Sequence, residues 1–276
     1  MSLIFSEYKW TILYLVSLAV IVVVCRPRSI HESVPPFFVS QRWSLTDAVV
    51  LLALTHIILM GLWGMVSLAR GNQNLYTIYT VADVLGAPLI IGVVWLRFGK
   101  IRSLLAEMGL FTPEWGRAIL RAVPWALAFV TFYLLVMMLL PAQQFAEIVR
   151  EQNPGVENKV GVYVRTWGTG ASILITIWVT TTTVFMEEVL FRGLLYSALR
   201  KLLGRTNSVL ASAFLFTLAH SGIRLGSIGI FLFGCLFAYL YNRTNSLLSP
   251  IFLHLVTNLF WDTVTISMAM SSILGA

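Results

Sequence analysis

Residues 180–200 read TTTTVFMEEVLFRGLLYSALR. Glu187 and Glu188 stand side by side in a run that is otherwise mostly apolar, and Arg192 follows four residues after Glu188. The apolar run that holds them extends from about 168 to 199, long enough for a helix to cross the roughly 30 Å hydrocarbon core of a bilayer. An ionisable side chain within a span costs ~2.5–3.5 kcal/mol on insertion scales, so such a cluster marks either a functional site or a structural ion pair. A structural pair needs one glutamate, and here there are two. The fold class turns on whether this run is a membrane span or a buried helix of a soluble core.

Composition decides for the membrane. Of the 276 residues, 58% are hydrophobic and only 11% are charged, and the mean hydropathy is +0.84. A soluble domain is nearer half apolar and a quarter charged. The net charge of +7 could suggest nucleic acid. We exclude that partner because the basic residues lie in short clusters between apolar runs, where membrane proteins keep Lys and Arg. Cys25 and Cys235 sit at or within apolar runs, with no spacing that suggests a disulfide framework or a zinc site. The expected fold is all-α, a polytopic transmembrane helix bundle in contact with lipid.

Apolar runs fall at roughly 10–25, 46–68, 76–96, 118–141, 168–199, 207–222, 226–242 and 247–270, which predicts about eight spans. No repeat or soluble domain interrupts them. Residues 1–164 read as N-terminal transmembrane helices with an interfacial amphipathic segment near 100–112, in which Leu104, Leu105 and Met108 are expected to face lipid. Residues 165–276 read as a second transmembrane domain, which carries Glu187, Glu188 and Arg192. The stretch 142–166 is the most polar, and its Asn153-Pro154-Gly155 is a turn signal.

The first run has no small-residue cleavage motif, and Arg26-Pro27-Arg28 follow it, so it reads as a retained signal-anchor span. With eight spans, 12 basic residues lie on one side and 6 on the other, with Arg192 inside a span. The positive-inside rule then puts both termini outside the cytosol. The expected location is integral to a membrane, a bacterial cytoplasmic (inner) membrane in particular.

Glu188 and Arg192 are four apart in the favourable acid-before-base order, so they share a helix face and can pair. Glu187 points about 100° away and is not committed to that pair. A like charge next door and a low-dielectric setting favour its neutral form, which suits a general base or acid. His220 ends the motif Phe216-Thr217-Leu218-Ala219-His220, and His254 and Asn258 are again four apart on one face of the last span. Counted from the 200–206 connection, Glu187 and His220 lie at similar depth, roughly 20 Å along their helices, so a bundle can bring them together. His56 and Asp83 are single polar groups without partners in the sequence, and read as packing or interface residues.

The ordered set E-E-x-x-x-R, F-x-x-x-H and H-x-x-x-N resembles the signature of the CAAX protease and bacteriocin-processing (CPBP, or Abi) family, which includes the Ras-converting CAAX endopeptidases. Here it is carried by Glu187, Glu188, Arg192, Phe216, His220, His254 and Asn258, and the Asn245-Ser246-Leu247-Leu248-Ser249-Pro250 lead-in to the last motif is similar too. The resemblance covers roughly residues 165–262. It implies an intramembrane endopeptidase acting on a membrane-associated, lipidated or leader-bearing peptide or protein. In that family's terms Glu187 activates water with His220 assisting, His254 and Asn258 stabilise the oxyanion, and Glu188 and Arg192 orient the site. Metal-independent glutamate catalysis is the favoured expectation, with no cofactor. The alternative is zinc held by Glu187, His220 and His254, although the H-E-x-x-H pattern is absent. Two rival classes are a non-catalytic membrane partner, such as a bacteriocin self-immunity protein, and a transporter, which would show internal repeats or broken helices.

Overall fold

A computed structural model describes residues 12–21, 34–68, 73–141, 156–220 and 227–274, together with 143, 144 and 147. The described elements are all helical. Helix α1 covers Ile12–Ile21, α2 is the short Pro36–Val39, and α3 and α4 are Leu45–Leu68 and Gln73–Phe98. Helices α5 and α6 are Ile101–Glu107 and Trp115–Leu139. Helix α7, Val156–Glu187, runs directly into a π-helical segment, Glu188–Tyr196, and then into α8, Ser197–Ala219. Helices α9, Ser227–Thr244, and α10, Leu248–Leu274, complete the described fold.

The helices occupy the apolar runs of the sequence. Among the described residues four stretches are long and apolar enough to cross a membrane: Thr80–Phe98, Trp115–Leu139, Trp167–Ala219 and Leu248–Met268. Exposed Leu120, Leu127, Leu134, Met138 and Leu139 on α6 and Leu174, Ile177 and Trp178 on α7 present an apolar outer surface, as a chain dissolved in lipid requires. The chain is an integral membrane protein.

The 53-residue stretch Trp167–Ala219 is not one rod. Gly168 and Gly204 both hold positive φ, 77° and 74°, in non-helical conformations that a Cβ would oppose. After Gly204 the chain packs back on the segment it came from: Ser212 Oγ donates to the Phe191 carbonyl at 3.3 Å, and the Phe191 and Phe216 rings meet at 5.1 Å. The break at Gly168 and the nine-residue π segment are invisible to hydrophobic periodicity, which measures only which positions are apolar. The turn signal at 153–155 lies outside the described residues.

One expectation is corrected. Helix α5 does not present Leu104 and Met108 to lipid. Both are fully buried, and Leu105 packs on the same core, which joins Trp43, Leu52 and Ile90 to Leu194, Leu199 and Tyr241. An amphipathic stripe states that one face is apolar, not whether lipid or protein covers it. Gly193 explains the inward choice: a Cβ there would stand 2.6 Å from Met108 Sδ, so its absence lets α5 dock on the π segment.

Candidate active site

Three local devices hold the site. The first is the π segment. Pi-helical turns are rare and often lie at functional sites. This one begins directly after Glu187 and carries both Glu188 and Arg192, each fully buried. Arg192 Nη1 lies 3.0 Å from Glu188 Oε1, an ion contact, and its Nη2 reaches the Gly234 carbonyl at 3.5 Å. The guanidinium stands over the rings of Phe216, 4.2 Å, and Phe237, 5.0 Å. Those π faces suit a planar, fully buried cation.

The second device ends α8. His220 is its C-terminal capping residue. Its Nδ1 lies 2.8 Å from the Phe216 carbonyl, so Nδ1 carries the proton and donates, and Nε2 turns toward Glu187. The spacing F-x-x-x-H therefore has a mechanical meaning: position 216 supplies the carbonyl that orients the imidazole, and its ring lies 4.3 Å from that imidazole.

The third device starts α10. Asn245 takes the left-handed conformation at φ 52°. Ser246 Oγ donates to the Gly109 carbonyl at 2.7 Å and accepts from the Leu248 amide, and Ser249 Oγ donates to the Ala118 carbonyl at 2.6 Å. Pro250 falls in the first turn, where its missing N–H costs nothing. These contacts pin the helix so that His254, one turn further on, enters the bundle.

The side chains converge on Glu187. His220 Nε2 lies 3.5 Å from its Oε1 and His254 Nε2 lies 3.6 Å from its Oε2. His254 Nδ1 is 2.7 Å from Glu188 Oε1, so Glu188 is shared between Arg192 and His254. Charge considerations in the sequence weighed only Glu188 against Glu187. The fold adds two imidazoles, between which and Glu187 a proton can be exchanged. Asn258 lies one turn beyond His254 on the same helix, half-buried.

Five of the six candidate residues, Glu187, Glu188, Arg192, His220 and His254, thus form one connected cluster, with Asn258 beside it. One supporting residue carries no motif and was missed. Phe237, fully buried on α9, stacks on the His254 imidazole at 4.6 Å and 22° and also underlies Arg192. Nothing in its neighbourhood of apolar residues distinguishes it before the helices are packed. His56 sits against Tyr14, ring centroids 4.6 Å apart, away from this cluster, while the side chain of Asp83 lies outside the described residues.

The described residues contain no group of three His, Cys, Asp or Glu donors disposed as a metal centre. The set that would have to hold a zinc ion is Glu187 with the Nε2 atoms of His220 and His254, 3.5 and 3.6 Å from its carboxylate, while His254 Nδ1 is engaged with Glu188.

Residues 169–260 match the family model described as type II CAAX prenyl endopeptidase Rce1-like. This segment is similar to the CAAX protease family. No curated protein and no solved structure matches the chain. The matched residues begin just after the Gly168 break and end two residues past Asn258, so they enclose all six candidate positions. The family points to an intramembrane protease.

Proposed function

We propose that the chain is an intramembrane endopeptidase in which Glu187 activates water for attack on a peptide bond of a membrane-bound polypeptide. The observation that carries this reading is the division of labour between adjacent carboxylates: Glu188 is tied to Arg192 and His254, while Glu187 faces two imidazole Nε2 atoms.

A water between Glu187 and His220 loses a proton to the carboxylate as its oxygen bonds to the scissile carbonyl carbon. The carbonyl π electrons move to oxygen, and the oxyanion needs donors. His254 can donate from Nε2 only if the ring carries both protons, since Nδ1 already serves Glu188; the Glu188 carboxylate offsets that charge. Asn258 supplies an amide N–H from the same helix face. Collapse breaks the C–N bond as the proton held by Glu187 or His220 passes to the leaving nitrogen, giving a carboxylic acid and an amine. Arg192 pairs with Glu188 and holds it in place.

The substrate class is a lipidated or leader-bearing peptide or protein tail presented in the bilayer. We infer eight crossings in a cytoplasmic membrane, with both termini away from the cytosol on the 12-to-6 basic distribution. The test compares membrane and secreted proteomes of cells carrying wild-type or Glu187→Gln protein, followed by cleavage of the candidate substrate by each purified protein. Glu187→Gln keeps the shape and removes the base, so cleavage is expected to fall about 10²–10⁴-fold. Wild-type cleavage should also survive exhaustive chelation. Identical proteomes would instead favour a non-catalytic membrane partner, and chelator inactivation reversed by zinc would assign Glu187, His220 and His254 as ligands.

A further inference from the structure

Helices α7 and α10 pack against each other beyond the site, and their shared face is polar although α7 turns Leu174, Ile177 and Trp178 outward. Two contacts set their antiparallel register. Glu187 meets His254 at 3.6 Å, and Thr180 Oγ1 donates to Asp262 Oδ2 at 2.5 Å. In that register Thr183 falls across from Asn258, and Thr176 falls across from Thr265. The seam therefore reads, from the site outward, Glu187 with His254, Thr183 with Asn258, Thr180 with Asp262, and Thr176 with Thr265. At 1.5 Å per residue it is about 16 Å long.

The hydroxyls at the far end are the informative ones. A threonine in an apolar helix ordinarily satisfies its hydroxyl on its own backbone one turn back. Thr182, Thr217, Thr244 and Thr263 each do so. Thr176 and Thr265, only 8% and 3% exposed, do not, and their Oγ1 atoms have no hydrogen-bond partner. Glu187 Oε2, at the inner end, is likewise buried without one. Lipid offers no partner to such groups. The seam residues are too buried for a polypeptide to lie among them, so what satisfies them must be small and must both donate and accept.

We propose that the α7–α10 seam is a water path, with Thr176, Thr265, Thr180 and Asp262 as positioning residues that carry water from the membrane face where α7 begins to Glu187. Its role as a supply of nucleophile rests on the protease reading above; the presence of water in the seam does not.

The test uses the full chain with Cys25 and Cys235 replaced by Ala, carrying Thr176→Cys or Thr265→Cys in turn, and silver ion as a water-sized, hydrophilic thiol probe. Two controls share α7: Val184→Cys in the dry core and Leu174→Cys facing lipid. Blockage of each thiol is read by the loss of later maleimide labelling in denaturant. Positions 176 and 265 are expected to react on the order of tenfold faster than either control, because thiol reactivity follows access to water. Reaction at the Val184→Cys rate would overturn the path whether or not the protein cleaves anything. Should a cysteine variant fail to fold, the Thr176→Val/Thr265→Val pair decides. The path predicts a lower kcat at unchanged KM, restored by Ser at both positions, and a wild-type kcat in the Val pair would overturn it. If no protein in the series, wild type included, cleaves substrate, the protease reading fails while the silver result still stands on its own.

Discussion

Replacing Arg192 with Ala tests the geometry of the cluster without any knowledge of the substrate. Both members of the Glu188–Arg192 pair are fully buried, and the guanidinium also touches the Gly234 carbonyl and lies over two aromatic rings. Removing one partner of a buried pair costs ~3–5 kcal/mol, mostly from the charge left behind. Glu188 retains one partner, His254 Nδ1 at 2.7 Å, which offsets part of that charge and places the expected loss near the lower figure, about 3 kcal/mol. For a chain of this size that corresponds to a drop in Tm of roughly 6–12 °C in detergent. The double variant Glu188→Gln/Arg192→Met removes both charges and should melt above Arg192→Ala, since no charge is stranded. Arg192→Lys keeps the charge but cannot lie flat between Phe216 and Phe237, so it should recover only part of the loss. A Tm for Arg192→Ala within a degree or two of wild type, with the double variant no better, would refute the buried-pair argument.

Asn258→Ala should lower kcat about 10²–10³-fold and leave KM nearly unchanged, measured by steady-state cleavage, because an oxyanion donor acts on the transition state and not on bound substrate. Gly109→Ala should prevent stable folding, seen as loss of the monodisperse peak on size exclusion. Gly109 holds φ +74°, and a Cβ there would fall on the Asn245 carbonyl oxygen, a backbone atom that cannot move without displacing the start of α10. Gly193→Ala, by contrast, meets only the flexible side chain of Met108 and should cost about 1–3 kcal/mol by thermal melt. A reporter fused after Ala276 should report a non-cytosolic C-terminus; a cytosolic signal would mean an odd number of crossings.

Much of this protein is determined by sequence alone because its solvent is lipid. Apolar runs of span length leave a chain little choice but helix, since every backbone group must be satisfied within its own segment. Runs at 46–68, 76–96, 118–141 and 247–270 accordingly coincide with α3, α4, α6 and α10 to within a few residues. The Glu188–Arg192 pair was legible for the same local reason, four residues on one helix, and so was the shared face of His254 and Asn258. What depends on packing between helices was not legible. Periodicity could not tell that Leu104 and Met108 turn to protein and not to lipid, because both surroundings are apolar and the absence of a Cβ at Gly193, far along the chain, makes the difference. It could not show Phe237 beneath His254, or that His254 divides its two nitrogens between Glu188 and Glu187. The polar seam beyond the site exists only once α7 and α10 run antiparallel in a particular register, since Thr176 and Thr265 are ordinary hydroxyls until each is buried across from the other.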